Sequence, residues 1–149
     1  MTVEKTIKLD KFLPYRIANL SNNISEAFSS VYTHEYGISI AQWRILVNLF
    51  ENDYVTAKKL GELASMDKST VSRAIKIMLN RGYLVKKVNI DDKRAYFVEL
   101  TKAGKDLYYE IAPKALAWEA DLKSVISEDE FECFMSVMSK LDQRVNSEN

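Results

Sequence analysis

Residues 67–88, DKSTVSRAIKIMLNRGYLVKKV, decide the fold of this chain. Asp67 is a preferred helix N-cap residue, and Gly82 can end a helix at little steric cost, so the segment predicts a helix that ends near Asn80. Its apolar residues recur at spacings of four and three, which places them on one buried face: Val71, Ile75 and Met78. From Tyr83 onward strand-forming residues replace this pattern. The segment therefore predicts a helix followed closely by a β-strand.

The other face of this helix combines short hydroxyl side chains with long cationic ones. These residues are Ser69, Thr70, Ser72, Arg73 and Lys76. Hydroxyls can bond to bases or phosphates, and arginine can bind a guanine edge through two hydrogen bonds. The residues lie toward the helix N-terminus, which recognition helices present to bases and whose free N–H groups favour phosphate. Taken alone, the pattern is also typical of an ordinary amphipathic helix with a solvated outer face.

A β-hairpin is predicted directly after this helix. Residues 84–88 and 95–100 are rich in strand formers, and a polar loop separates them. The loop holds Lys93 and Arg94, whose charges suit phosphates or a minor groove beside a groove-reading helix. Asp92 is expected to orient the Arg94 guanidinium through a charge-assisted hydrogen bond. The alternative is a solvent-exposed ion pair without a role in binding.

Three helices are predicted upstream of residue 67. Apolar residues at spacings of three and four predict a helix over residues 10–33, with Asp10 as its N-cap. Ser39 and Gln42 form a capping box that opens the second helix. Thr56 is the expected N-cap of a short third helix. The residues of that helix expected to face inward are Leu60 and Leu63.

Two more helices are predicted after the hairpin. Thr101 caps the first of them, and Pro113 is expected to bend it or break one turn. Ser127 and Glu130 form the capping box of the last helix. The element order is therefore α-α-α-α-β-β-α-α. The fold class is mainly α (α+β), with a winged helix-turn-helix at its centre.

Charge is distributed unevenly along the chain. The 149 residues contain 21 Lys or Arg and 21 Asp or Glu, so the net charge is zero. Residues 56–105, however, carry 12 basic against 5 acidic residues, a net +7, whereas residues 106–149 carry a net −6. A basic block that coincides with the predicted helix and hairpin is typical of a phosphate-binding surface. The neutral total argues against a protein that coats DNA without regard to sequence.

Several classes of protein are disfavoured by the sequence. It shows neither a signal peptide nor an apolar run long enough to span a membrane, and a single cysteine allows no internal disulfide, so we expect a cytoplasmic protein. Acidic neighbours in sequence disfavour a reactive thiolate at Cys133. With one histidine and no glycine-rich phosphate loop or nucleophile elbow, we expect no enzyme activity, no metal site and no cofactor.

The stretch from Leu60 to Thr101 resembles the winged-helix core of the MarR family of bacterial regulators. The segments that carry this resemblance are Asp67–Arg73, Arg81–Lys87, Asp92–Ala95 and Val98–Thr101, with Gly104 following and Gln42–Leu46 upstream. We call the predicted hairpin of residues 84–88 and 95–100, with the loop between its strands, the wing. The chain departs from the family pattern in this loop, where Asn89 and Ile90 stand in place of the usual Asp-Pro. Because proline pre-sets the backbone, its absence is expected to leave the wing more mobile.

The resemblance implies a cytoplasmic homodimer that binds pseudo-palindromic double-stranded DNA, most often as a repressor. It implies that the five outward residues of the 67–80 helix face the major groove, and that Arg94 enters the minor groove with Asp92 supporting it. It also implies one domain over residues 1–149. In that domain residues 39–104 form the DNA-binding core, and residues 1–36 and 105–149 form dimerisation helices. An isologous dimer would hold two recognition helices about 34 Å apart.

Many family members release DNA when a small aromatic or phenolic compound binds between the dimerisation helices and the winged core. The residues of the first two helices that would help to line such a pocket are Tyr15, Arg16, Asn19, Trp43 and Arg44. An arginine beside aromatic rings suits an aromatic carboxylate. The alternative is that Trp43 belongs to the core and Arg16 to the surface.

Two functions remain open at this point. One is a ligand-responsive, homodimeric, sequence-specific repressor. The other is a winged-helix adaptor that binds protein instead of DNA, with the acidic C-terminal helices as its contact surface. The +7 segment that contains Arg73, Lys76 and Arg94 favours the repressor, because an adaptor does not require it.

Overall fold

The computed structural model describes residues 5–147. Six α-helices and three β-strands succeed one another: α1 (Leu13–Tyr36), α2 (Ile40–Asn52), β1 (Tyr54–Thr56), α3 (Ala57–Ala64), α4 (Lys68–Asn80), β2 (Leu84–Val88), β3 (Tyr96–Leu100), α5 (Lys102–Lys123) and α6 (Glu128–Asn146). The fold is mainly α-helical with a small antiparallel sheet, which confirms the predicted class. The predicted order lacked the strand β1 and a short turn of 3-10 helix before α1.

The helix starts follow local hydrogen bonding, as the sequence predicted at five of them. The side chains that accept a hydrogen bond from a backbone N–H three residues later are those of Ser39, Thr56, Asp67, Thr101 and Ser127. Ser127 and Glu130 complete a reciprocal capping box. The predicted box at Ser39 is only half formed. The Gln42 side chain is buried, and its Oε1 accepts no hydrogen bond from the described residues.

The prediction for the start of α1 is wrong. Asp10 lies in a separate turn of 3-10 helix, Leu9–Lys11, and Phe12 occupies the N-cap position of α1 without a side-chain cap. Pro14 lies in the first turn of α1, where its missing N–H leaves no hydrogen bond unmade. At the other end, Gly37 adopts a left-handed conformation with φ 64° and terminates the helix.

The core of the residues up to Ala112 forms where α4 packs against α2. Val71, Ile75 and Met78 are fully buried, as predicted, and the residues of α2 in the same cluster are Ile45, Leu46 and Leu49. Leu60 of α3 is also buried. The prediction for Leu63 is wrong, because 39% of this residue is exposed and Ala64 lies in its place toward the interior. This core fixes the rotation of α4 about its own axis.

The sheet has the strand order β1-β3-β2, with both pairs antiparallel. In the hairpin Leu84 pairs with Leu100 and Val88 with Tyr96. β1 pairs with β3 on the other side, with Tyr54 opposite Glu99. A strand of three residues carries too little periodicity to be predicted locally. It exists because β3 supplies hydrogen-bond partners from far along the chain.

Side-chain bonds to the backbone connect the end of α4, the hairpin and the start of α5. The Thr101 hydroxyl donates to the Gly82 carbonyl at 2.6 Å and accepts from the Gly104 N–H at 3.2 Å, while the Thr101 N–H donates to the Tyr83 carbonyl at 3.0 Å. A Cβ placed on Gly104 would overlap this Tyr83 oxygen and lie 3.1 Å from Cδ2 of Leu100. Only glycine allows this approach without displacing the backbone.

Arg81 connects the C-terminal end of α4 to that of α1. Its guanidinium donates from Nη1 to the Gly37 carbonyl at 2.8 Å and from Nη2 to the Tyr36 carbonyl at 3.0 Å. The same group lies over the Tyr83 ring, 5.0 Å from its centroid. A cation at a helix C-terminus satisfies carbonyls that have no partner within the helix. Arg81 therefore has a structural role within the basic segment.

The chain divides into two compact units, one up to Ala112 and one from Pro113. The helix α5 is continuous across Pro113, so the proline breaks no turn. In the second unit, the Lys123 ammonium lies over the Phe131 ring, 4.2 Å from its centroid. Among the helices formed by residues 5–147, none has the length and apolarity needed to cross a lipid bilayer.

Replacement of Gly104 by alanine is expected to destabilise the protein by about 1–3 kcal/mol, because the added methyl group collides with the Tyr83 carbonyl. Urea unfolding followed by circular dichroism measures this change. Gly61→Ala is the matched control. A Cβ there lies 3.3 Å from both Met66 O and Val71 Cγ2, so a smaller loss is expected. An unchanged or raised stability of Gly104→Ala would contradict the proposed close approach.

The cap of α4 is expected to make stability depend on pH in the acid range. Hydrogen bonds to the Asp67 carboxylate, first from the Thr70 N–H and then from the Thr70 and Ser69 hydroxyls, lower the pKa of this group. A lowered native pKa contributes stability above the ordinary carboxyl pKa of about 3.9, and this contribution is lost as the pH falls through the lowered value. The free energy of unfolding of the parent, measured in urea, should therefore exceed that of Asp67→Asn at neutral pH, and this difference should shrink as the pH falls.

Asp91→Asn serves as the control for this measurement, because it removes one carboxylate that accepts no hydrogen bond among residues 5–147. Its stability difference from the parent is expected to change less with pH. An advantage over Asp67→Asn that stayed constant from neutral to strongly acid pH would rule out the Asp67 contribution.

Candidate nucleic-acid interface

The outward face of α4 is set by what the helix buries. Because Val71, Ala74, Ile75 and Met78 lie inside, the polar residues of the helix lie on the opposite side. The exposed members of the predicted set are Ser69, Ser72, Arg73 and Lys76, and Thr70 is half-buried. These five residues therefore share the surface that the sequence assigned to DNA.

The N-terminus of α4 already holds a negative charge. Asp67 Oδ1 accepts from the Thr70 N–H at 2.8 Å and from the Ser69 hydroxyl at 3.1 Å, and Asp67 Oδ2 accepts from the Thr70 hydroxyl at 3.0 Å. The expectation that free N–H groups at this end favour phosphate needs correction. A carboxylate occupies the position, and it repels a second anion.

The wing loop is organised by two side chains. Asn89 Oδ1 accepts from the N–H groups of Asp91 at 3.1 Å and Asp92 at 3.3 Å. These bonds constrain the turn at the point where the family usually has proline, and sequence analysis missed this role of Asn89. Asp92 Oδ1 accepts from the backbone N–H of Arg94 at 2.9 Å. The predicted bond from Asp92 to the Arg94 guanidinium is therefore replaced by a bond to the backbone.

A cleft of about 980 Å³ lies between α3, α4 and the wing. Three of the predicted residues line it, Ser72 from α4 and Asp92 and Arg94 from the wing. The other predicted residues, Ser69, Thr70, Arg73, Lys76 and Lys93, do not belong to its lining. Two cations missed by sequence analysis, Lys58 and Lys68, also line the cleft. Their only signal in the sequence was membership of the basic block.

Within the part of the chain that the structure describes, the cations of this surface lack the carboxylate partners that three other cations of the basic segment have. Lys59 pairs with Glu62 at 3.8 Å, Lys87 with Glu99 at 2.8 Å and Lys102 with Asp106 at 2.8 Å. No such ion pair within residues 5–147 includes a cation of the cleft, the outward face of α4 or the wing tip. These cations are Lys58, Lys68, Arg73, Lys76, Lys93 and Arg94. Their charges remain available to an anionic partner.

The candidate effector residues on α1 fall in its first two turns. Tyr15 and Asn19 are exposed, and the Arg16 guanidinium donates to the Asp10 carbonyl at 3.3 Å. Trp43 and Arg44 lie at the start of α2, opposite the middle of α1. The Arg44 guanidinium donates to the Ser25 hydroxyl at 3.3 Å. Nine residues of helix, about 14 Å, separate Arg16 from Ser25, so a single chain does not gather the five residues.

Trp43 belongs to an aromatic cluster on the inner side of α1. Its ring stacks on Tyr32, with centroids 5.3 Å apart, and meets Phe28 edge to face at 5.5 Å. Burial raises the pKa of the Tyr32 phenol to about 12, against a lowering by the Arg44 charge, so this phenol is neutral at physiological pH. None of the five candidate effector residues lines the cleft beside α4 or a second cavity between α2, β3 and α5.

Comparison with known proteins identifies the architecture. Residues 36–95 match the MarR family, and this range covers α2 to α4 and most of the hairpin. A MarR/EmrR family transcriptional regulator from Acinetobacter sp. ADP1 superposes with a TM-score of 0.84. It is 28% identical, and the match covers 95% of this chain and 99% of that one. This likeness extends well beyond the matched core.

Two more distant structures share the fold alone. NadR, solved in complex with 4-hydroxyphenylacetate, is 19% identical, with a TM-score of 0.74 and coverage of 95% and 96% of the two chains. A mutant of MarR from E. coli, complexed with operator DNA, is 20% identical, with a TM-score of 0.75 and coverage of 91% and 99%. Two curated relatives are regulators of the helix-turn-helix type. YwaE from Bacillus subtilis is 24% identical over 75% of this chain and 66% of its own length, and SarZ from Staphylococcus epidermidis is 28% identical over 51% of each protein.

The family match, the likeness over nearly the whole chain and the exposed basic face of α4 agree with one another. The relatives and neighbours compared with this chain are named as transcriptional regulators, and one of them was solved in complex with operator DNA. Residues 36–95 thus carry the MarR-family pattern, and the comparisons together support a winged-helix transcriptional regulator of that type.

Proposed function

We propose that this protein is a sequence-specific repressor that binds a pseudo-palindromic operator as a homodimer and releases it on binding a small aromatic effector. The observation that carries the DNA-binding part is the cleft shared by α4 and the wing, where Ser72 and Arg94 line one cavity beside cations without acidic partners. Phosphates can pair with these cations without displacing an internal carboxylate.

The DNA contacts are assigned by position. Arg73 and Lys76, on the outward face of α4, enter the major groove together with Ser69, Thr70 and Ser72. Arg94 and Lys93, at the tip of the wing, reach the flanking minor groove or its phosphates. Asp92 acts on Arg94 through its backbone, because Asp92 Oδ1 accepts a hydrogen bond from the Arg94 N–H at 2.9 Å. Lys58 and Lys68 contact the phosphates between these two elements.

Dimerisation is proposed from apolar side chains that each unit leaves exposed. On α6 the exposed fractions are 47% for Phe134, 46% for Met135 and 37% for Met138. On α1 they are 52% for Leu13 and 47% for Ile17. Such stripes along two helices are costly in water, and a second copy of the chain would cover them. Residues 1–36 and 105–149 are therefore proposed as the dimerisation segments around the core at 39–104. Residues 1–4 and 148–149 of these segments lie outside the described residues.

An effector that is an aromatic acid or a phenol is proposed for the region where α1 meets α2. Arg44 supplies a positive charge beside the aromatic cluster of Phe28, Tyr32 and Trp43, which suits a ring that carries a carboxylate. The complex of NadR with 4-hydroxyphenylacetate supports this chemical class. Tyr15, Arg16 and Asn19 would join the pocket only from a second copy of the chain.

The first test is fluorescence anisotropy at about 150 mM salt, with duplexes enriched by the protein from a random library and scrambled duplexes of equal length as the comparison. We expect binding at least about 1,000-fold tighter to the enriched sequence, as for specific DNA-binding proteins. Equal weak binding to every duplex would reject sequence-specific binding and favour the protein-binding adaptor.

Single substitutions test the site. Arg73→Ala and Arg94→Ala are each expected to weaken specific binding by about 10-fold to 100-fold, because each removes a charged contact to DNA. Lys102→Ala is the matched control. It removes one positive charge from the same segment, but from a lysine that pairs with Asp106 on α5. Parent-like affinity of both arginine variants, with unchanged thermal unfolding, would show that the site lies elsewhere.

The dimer is tested by analytical ultracentrifugation. The parent is expected to sediment with about twice the chain mass of 17.1 kDa. Phe134→Glu is expected to lower this mass toward the monomer, because it places a charge within the apolar stripe of α6. Ser136→Glu adds the same charge on the opposite face of α6 and should leave the dimer intact. A monomeric parent would disprove the dimer.

A further inference from the structure

The hydroxyl groups at the start of α4 are not equivalent to free hydroxyls. A serine or threonine hydroxyl has one proton to donate and two lone pairs with which to accept. Ser69 and Thr70 both direct that proton to the Asp67 carboxylate, over 3.1 Å and 3.0 Å. The outward side of each oxygen is therefore left with lone pairs only.

From this geometry, and resting on the proposed function, we propose that Asp67 fixes Ser69 and Thr70 as hydrogen-bond acceptors and thereby makes α4 select bases that carry an amino group. In the major groove these groups are adenine N6 and cytosine N4, the donors on base edges. Phosphate oxygens, guanine O6 and N7, and thymine O4 only accept. The hydroxyls of Ser69 and Thr70 have no proton left to donate to these acceptor atoms.

The competing arrangement, in which the hydroxyls turn to donate to DNA, is disfavoured by charge. A hydrogen bond to an ionised carboxylate is stronger than one between neutral groups. Asp67 also accepts the Thr70 N–H at 2.8 Å, so its position is held by the helix backbone as well. Its negative charge, close to both hydroxyls, repels phosphate and the acceptor atoms of bases, and it attracts an amino group.

Ser72 and Arg73 provide the contrast within the same face. The Ser72 hydroxyl has no hydrogen-bond partner among residues 5–147, so it can donate to a phosphate or accept from a base. Arg73 carries donors only and suits guanine or phosphate. Ser69 and Thr70, in the first turn of α4, therefore present acceptors to DNA, whereas Arg73, in the second turn, presents donors. This order predicts an adenine or cytosine edge next to a guanine or phosphate contact in each half-site.

Base analogues test this polarity in an operator enriched by the protein. Purine in place of adenine, or pyrimidin-2-one in place of cytosine, removes the amino group, whereas 7-deazaadenine removes only the N7 acceptor. At one or two positions of each half-site, loss of the amino group is expected to weaken parent binding by about fivefold to tenfold. Loss of N7 at those positions should have little effect.

Side-chain variants separate this effect from weaker base pairing in the modified duplex. Ser69→Ala and Thr70→Val remove the hydroxyls, so the same base change should cost each variant less than it costs the parent. Ser72→Ala is the matched control, because the Ser72 hydroxyl has no bond to Asp67. At the base positions where Ser69→Ala or Thr70→Val lowers the cost of amino-group removal, Ser72→Ala should respond as the parent does.

Asp67→Asn is the decisive variant. The Asn oxygen can keep the cap on the Thr70 N–H, while its amide donates toward the Thr70 hydroxyl and frees that proton. At the base contacted by Thr70, library selection should then show a shift in preference from adenine or cytosine to thymine or guanine. A merely structural role of Asp67 would weaken binding to all sequences without this shift.

Three outcomes are distinguishable. Amino-group dependence that disappears in Ser69→Ala or Thr70→Val, together with altered preference in Asp67→Asn, supports the proposal. Specific binding that is indifferent to amino groups throughout the half-site, or a preference unchanged in Asp67→Asn, overturns it and leaves the proposed regulator intact. Failure of the parent to enrich any sequence overturns the sequence-specific regulator itself, and this inference with it.

Discussion

The burial of one stripe of α4 against α2 is the constraint on which the rest of the binding surface depends. Val71, Ile75 and Met78 are almost completely excluded from solvent, and a rotation of the helix would expose them. Burying such side chains is worth about 1.5–3 kcal/mol each, so the packing holds the helix against rotation. The direction of every polar side chain on α4 follows from this packing.

The position of the wing relative to α4 is set by hydrogen bonds to backbone carbonyls. Thr101 holds Gly82 and Tyr83 at the start of the hairpin, and Gly104 allows α5 to begin directly against them. The Arg81 guanidinium donates hydrogen bonds to the carbonyls of Tyr36 and Gly37. A segment rich in lysine and arginine thus contains residues with two different roles, and net charge alone does not separate them. The cations that we assign to DNA are among those that have no carboxylate partner within residues 5–147.

The start of α4 shows how one local interaction can serve both folding and recognition. Asp67 caps the helix, which is a contribution to stability that many acidic residues make. The same carboxylate takes the protons of Ser69 and Thr70 and so decides which hydrogen bonds remain for a partner. The match of residues 36–95 to the MarR family supports the fold and a DNA-binding role, but the polarity of these hydroxyls follows only from the positions of their oxygens.

The sequence by itself determined the features that depend on neighbours within four residues. The helix caps were predictable because a side chain reaches only the N–H two or three residues later, and they are those at Ser39, Thr56, Asp67, Thr101 and Ser127. The buried stripe of α4 and the hairpin were predictable for a similar reason, since periodicity reports which face is covered. Among local features, Asp10 and the second half of the Ser39 capping box were predicted wrongly.

Only the tertiary structure decided the features that join distant segments. The strand β1 exists because β3 pairs with it, and the role of Arg81 depends on carbonyls more than forty residues earlier. Lys58 and Lys68 could not be singled out, because the cleft that they line forms only when the wing folds beside α3. Asp92 lies two residues from Arg94, yet the path of the turn directed it to the backbone and not to the guanidinium. Sequence spacing determines which groups can come within hydrogen-bonding distance. The path of the folded chain determines which atoms of those groups form the hydrogen bond.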